Sequence, residues 1–245
     1  MMKFIRNLCL AFFCFGFITA AISQNEGYIY DGGLTIKTTS DFFKIQASDV
    51  KNTKAFLKDN DIAGTPYLNN DFVPGNIITK NAVKYIDIPL RYNIYNDEIE
   101  FSQDGEAFAL ENPLNYSSIS IAEQSFIYSS FVGRAKGEAG KASFFELMNN
   151  KGKLFLLKRY SVQFIKPSPS QGYVEAKLAE FKKTPDSYYF KFGSSPAQEV
   201  GNLKSTLLMF GKHSKRIATF IKAEKLKLRN QEDLLRIVSF YNDLL

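Results

Sequence analysis

The sequence predicts an α+β fold: an antiparallel β-meander sheet, flat or curled, followed by C-terminal helices. Three observations predict it. From about residue 76 to residue 192, apolar and polar residues alternate in short runs separated by turn signals. The chain has no Trp but 23 Phe and 13 Tyr, residue types that favour strands. After Ser194-Ser195-Pro196 the apolar spacing becomes that of helices. Strands followed by helices imply helices covering one side or end of a sheet. Residues 61–200 are therefore expected to form an antiparallel β domain, and 201–245 a helical segment packed on it.

The individual elements follow from local pattern. Ile86, Ile88, Leu90, Tyr92 and Ile94 alternate with Asp87, Pro89, Arg91 and Asn93, the mark of a half-buried strand. Pro89 has no N–H and belongs at an edge, a bulge or a non-bonded position. Asn96-Asp97 turns the chain, and Ile99 and Phe101 then point away from Glu98, Glu100 and Ser102. Asp104-Gly105 is the strongest hairpin signal, because a type I′ turn needs positive φ at both central residues. Strands are expected over 117–122, 124–131 and 142–148, with a small-residue loop at 133–140. A long strand is expected over 153–165 and an aromatic one over 187–192. The segment 175–183 gives no clear pattern. Short consecutive hairpins imply antiparallel pairing, since parallel neighbours need longer crossovers. A short helix is expected over 203–210. A second, over 212–225, puts Ile217, Phe220 and Ile221 on one face. A last helix carries Leu234, Leu235, Val238, Tyr241 and Leu245, opened by a capping-box-like Asn230 and Asp233.

The N-terminus reads as an address. Lys3 and Arg6 precede an apolar run from Leu8 to Ile18, too short to span a bilayer, and Ala21 and Ser23 are small residues before a cleavage point. Residues 1–23 are expected to be an export signal, and 24–60 an N-terminal arm outside the core, with a short helix over 49–58. No later stretch is long and apolar enough to be a membrane helix. Both cysteines, Cys9 and Cys14, lie in the signal. The exported chain would thus have no disulfide, thiolate metal site or cysteine nucleophile. Cys14 follows Phe12-Phe13, which argues against lipidation. The formal charge of +6 falls to +4 once Lys3 and Arg6 are removed, a mild excess that bears on solubility more than on function.

Composition narrows the chemistry further. His213 is the one histidine, and Lys212 and Lys215 flank it, so a Ser-His-Asp triad or a histidine zinc site has little to work with. Asp97, Glu98, Glu100, Asp104 and Glu106 cluster at two turns. Paired acids catalyse only across a cleft, and the shared strand face of Glu98 and Glu100 reads as solvated. No phosphate-binding glycine loop occurs. No enzyme activity, cofactor or metal is expected.

Charge is concentrated at the C-terminus. Residues 203–236 hold nine Lys or Arg against three acids. Lys212, Lys215, Arg216, Lys222 and Lys225 are the candidates for docking to an anionic surface, either phospholipid or lipopolysaccharide phosphates or an acidic protein. Nucleic acid is not expected, since no recognition motif appears. Phe126, Tyr128, Phe144, Phe145, Phe155, Tyr160 and Phe164 read as core. In a sheet that curls without closing, they would instead line a concavity for an apolar ligand.

The segments 64–75 (GTPYLNNDFVPG) and 88–101 (IPLRYNIYNDEIEF), with EDLL at 232–235 and Tyr241-Asn242, resemble a family of exported, uncharacterised proteins of Bacteroidota. The resemblance covers about residues 60–245 and is most specific in 88–101. It implies a Gram-negative envelope, either the periplasm or the inner leaflet of the outer membrane. It implies no activity and no catalytic residue. The expected function is that of a non-enzymatic periplasmic platform that docks on an envelope protein or an anionic membrane surface. The alternative is a carrier of a lipid or other apolar ligand.

Overall fold

A ring of five strands lies at the centre of the molecule, between a larger sheet on one side and helices on the other. The computed structural model describes residues 30–31, 33–46, 62–134, 140–170 and 176–245. The export signal expected over 1–23 and the helix expected over 49–58 lie outside the described residues.

The chain first builds the sheet. The short strands β1 (Tyr30–Asp31) and β2 (Leu34–Lys37) are joined through Gly33 and lead into helix α1 (Thr39–Gln46). β3 (Ile62–Gly64) belongs to a separate small sheet. β4 (Val73–Thr79) and the long β5 (Val83–Asn93) pair antiparallel. β6 (Glu98–Gln103) and β7 (Glu106–Ala109) form a hairpin on the end of β5. Asp104 and Gly105 have φ of 53° and 83°, as the type I′ expectation requires. Pro89 lies opposite Pro74, and on its other edge it falls between the β5 rungs that pair with β2 and with β6. Its missing donor therefore leaves no gap in a ladder.

The ring follows. β8 (Tyr116–Ile121) links β4 to β9 (Gln124–Val132). β9 pairs with β10 (Ala142–Leu147), β10 with β11 (Leu154–Arg159), and β11 with β14 (Ser187–Phe192). β15 (Ala197–Glu199) joins β14 on one edge and runs parallel to β9 on the other, which closes the barrel. Each ring strand supplies one side chain to a shared interior: Phe131, Phe145, Leu157, Tyr189 and Ala197. Phe145 and Tyr189 meet edge to face at 4.9 Å, and Phe131 touches both. The outward faces are also covered. Phe126 and Phe144 join the core of the large sheet, whereas Leu154, Leu156 and Phe190 join the core under the helices.

The helices are α2 (Leu203–Leu208), α3 (Ser214–Ala223) and α4 (Gln231–Asp243). α4 is pinned to the barrel by Asn242. Its side-chain oxygen accepts from the Lys153 and Leu154 N–H groups, and its amide donates to the Leu154 carbonyl. Gly152 makes room for this contact: its φ is +104°, and a Cβ there would lie 2.2 Å from the Asn242 amide nitrogen.

The α+β class and the C-terminal helices match the expectation, but four details differ. First, the sheet is not a simple antiparallel meander, because parallel pairings of β15 with β9 and of β2 with β5 close and extend it. Second, the strand expected over 153–165 is two strands. The chain bends at Tyr160, whose hydroxyl donates to Glu146 at 2.5 Å, and β12 (Val162–Ile165) moves to the small sheet with β13 (Ala179–Lys183) and β3. Third, within the 24–60 arm, residues 34–46 belong to the core: Phe42 is 1% exposed and packs on Tyr85 and Phe101. Fourth, the capping box is half formed. Asn230 accepts from the Asp233 N–H, but the Asp233 carboxylate accepts from the Lys227 N–H.

Candidate docking face

The α3 sequence SKRIATFIKA has neither Gly nor Pro, and Ile217 and Ile221 form its buried stripe. Lys215 and Lys222, seven residues apart, share the opposite face. Arg216, Phe220 and Ala223 form the next stripe, along the border with α4. In α4 the buried stripe is Leu234, Ile237 and Val238, and Phe240 falls outside it. Its ring stacks on Phe220 at 4.1 Å with 8° between the planes. This pair forms the centre of a shallow depression completed by Lys215, Arg216, Thr219, Ala223 and Leu244.

Lys212 precedes α3 in the 3₁₀ turn Gly211–His213, and Lys225 follows α3 with φ 54°. Lys212, Lys215, Arg216, Lys222 and Lys225 are all exposed. Among the described residues none of the five makes an ion pair, whereas the nearby acid Glu224 is taken by Arg236. Of the five expected cations, Lys215 and Arg216 line the apolar depression, Lys222 lies on the outer face of α3, and Lys212 and Lys225 flank its two ends. Sequence reasoning missed Phe240 and the stack. A signal was present, since Phe240 lies out of phase with the buried stripe of its helix. Such a face suits contact with an extended anion, because charge attracts from within a Debye length and apolar area holds at contact.

The other candidates are engaged in the fold. Glu100 does not lie on a solvated face, for it is 2% exposed. Its carboxylate accepts from Arg91 Nε at 2.7 Å and from Asn93 Nδ2 at 2.9 Å. The segment around Tyr67–Phe72 covers that face, and the Arg91 guanidinium lies 3.8 Å from the Tyr67 ring centre and 4.3 Å from that of Phe72. Burial raises the Glu98 pKa, offset in part by a hydrogen bond from Asn96. Asp97 accepts from the Tyr92 hydroxyl and the Phe144 N–H. Burial is the main cause of the strongly raised Tyr92 pKa, and Asp97 adds to it. Burial, followed by the hydrogen bond to Glu146, does the same at Tyr160. Asp104 and Glu106 are exposed at the hairpin turn. His213 is half-buried, edge-on to Tyr241. The aromatic residues singled out in the strands pack into the cores or into the small sheet.

Among the described residues no group of three or more His, Cys, Asp or Glu is placed to hold a metal, and no helix is long and apolar enough to cross a membrane. Comparisons with protein-family models, curated proteins and solved structures found no match.

Proposed function

We propose that this chain is a non-enzymatic cell-envelope protein that attaches to an anionic lipid surface through the corner formed by α3 and α4. The observation that carries the reading is the Phe220–Phe240 stack with Lys215 and Arg216 lining the same depression, and with Lys212, Lys222 and Lys225 exposed on and at the ends of α3, none of the five in an ion pair among the described residues. Each Lys or Arg near an anionic membrane is worth about 1 kcal/mol, so five give a useful but reversible attraction. The exported setting rests on the character of residues 1–23 and on the resemblance to exported proteins of Bacteroidota. The carrier alternative has less support, because the curled part of the sheet closes on itself and its interior is filled by side chains from all its strands.

The test is co-sedimentation of the full-length chain with vesicles of phosphatidylglycerol and phosphatidylcholine at low salt. Reversing Lys215, Arg216 and Lys222 to Glu should weaken binding by more than about 100-fold, since at least three favourable contacts of about 1 kcal/mol are lost. Binding unchanged by the triple reversal would overturn the proposal. So would failure of the parent chain to bind vesicles while it captures an acidic protein through the same residues.

A further inference from the structure

A second surface feature lies where the end of the barrel meets the loop between α3 and α4. It is a groove of about 770 Å³, within the range of small-ligand sites, and barrel mouths and helix junctions are common places for such sites. Val200, Leu203 and Leu228 give it an apolar lining, and Leu203 remains 47% exposed.

The charges around the groove are sorted by the fold. Two acids line it, and both are occupied. Glu199 accepts from the Arg134 backbone N–H at 2.7 Å and from Arg134 Nε at 2.9 Å, and it pairs with the same guanidinium at 2.7 Å. Asp186 pairs with Lys158 at 3.2 Å. Lys227 and Arg229 also line the groove and are exposed, with no ion pair among the described residues. The loop that carries them is anchored. Leu226 is buried, Leu228 packs on the helical core, and the Lys227 N–H donates to Asp233. Asp233 of α4 thus engages the backbone of this loop, and it forms no ion pair with Lys227 among the described residues.

We infer that this groove binds an organic anion with an apolar body, its acidic group set between Lys227 and Arg229 and its body on Val200, Leu203 and Leu228. The site does not depend on membrane docking, because it shares no residue with the α3–α4 corner, and either can fail alone. The probe is 8-anilinonaphthalene-1-sulfonate, added to the full-length chain and followed by fluorescence. One saturable site is expected, weakened tenfold or more in K227E/R229E and also in L203W, whose ring would occupy the groove. Binding should be unchanged in K215E/R216E. The uncharged analogue N-phenyl-1-naphthylamine should bind at least tenfold more weakly than the sulfonate. Equal affinity in K227E/R229E, loss confined to K215E/R216E, or equal affinity for the uncharged analogue would each overturn the inference. Lys227 and Arg229 are both exposed, so the double variant is expected to fold, and L203W tests the same groove without altering charge.

Discussion

Arg91 is held by two ring faces, by the Tyr67 hydroxyl at 2.9 Å and by the Glu100 carboxylate at 2.7 Å. Its side chain is 16% exposed and that of Glu100 is 3% exposed. Removing one partner of such a pair leaves a buried charge unmatched, which costs about 3–5 kcal/mol. Glu100→Ala should therefore lower the stability read from urea unfolding by that amount. A loss of under about 1 kcal/mol would mean that water replaces the carboxylate and that the pair is marginal. Period-two alternation puts Arg91 and Glu100 on the same face of neighbouring strands, so their proximity was readable. Their burial was not, because the cover comes from Tyr67 and Phe72, some twenty residues earlier, and no local pattern announces a distant loop folding over a strand.

Among the elements, the end of α3 places one of the proposed docking cations at a strained cap position. Lys225 takes the left-handed conformation just past the helix, the Leu226 N–H reaches back to the Ile221 carbonyl, and the Lys225 N–H reaches the Lys222 carbonyl. Glycine is the usual residue at such a position, since any Cβ costs about 1 kcal/mol there. Lys225→Gly should raise stability by about 1 kcal/mol in thermal or denaturant unfolding. On the docking account it should also weaken vesicle binding by roughly fivefold, the value of one cation. A stability gain with full vesicle binding would remove Lys225 from the docking set. Other elements were only partly readable. The hairpins at 98–109 and 116–132 carried their own turn chemistry, and their strands lie close to the expected bounds. β15 is three residues long and has no periodicity to detect, yet it is the strand that closes the barrel. α1 was read as part of an arm because Phe42 finds its partners Tyr85 and Phe101 far along the chain.

At the scale of the whole molecule, the barrel is a packed connector. One outer face of it joins the core of the large sheet and another joins the core under the helices. Among the described residues nothing covers the outer surface of α3, and the five cations lie along it and at its ends. Charge counting along residues 203–236 was enough to find them, because like charges on a helix have few ways to be hidden. The apolar half of the face depends on how α3 crosses α4, which spacing within either helix does not reveal. The chain has no tryptophan, so Phe220→Trp would install a single fluorescent reporter at the centre of the face. On adding phosphatidylglycerol vesicles its emission should shift to the blue and its quenching by acrylamide should fall, with neither change on pure phosphatidylcholine vesicles. Identical emission and quenching with and without the anionic vesicles would contradict docking through this corner.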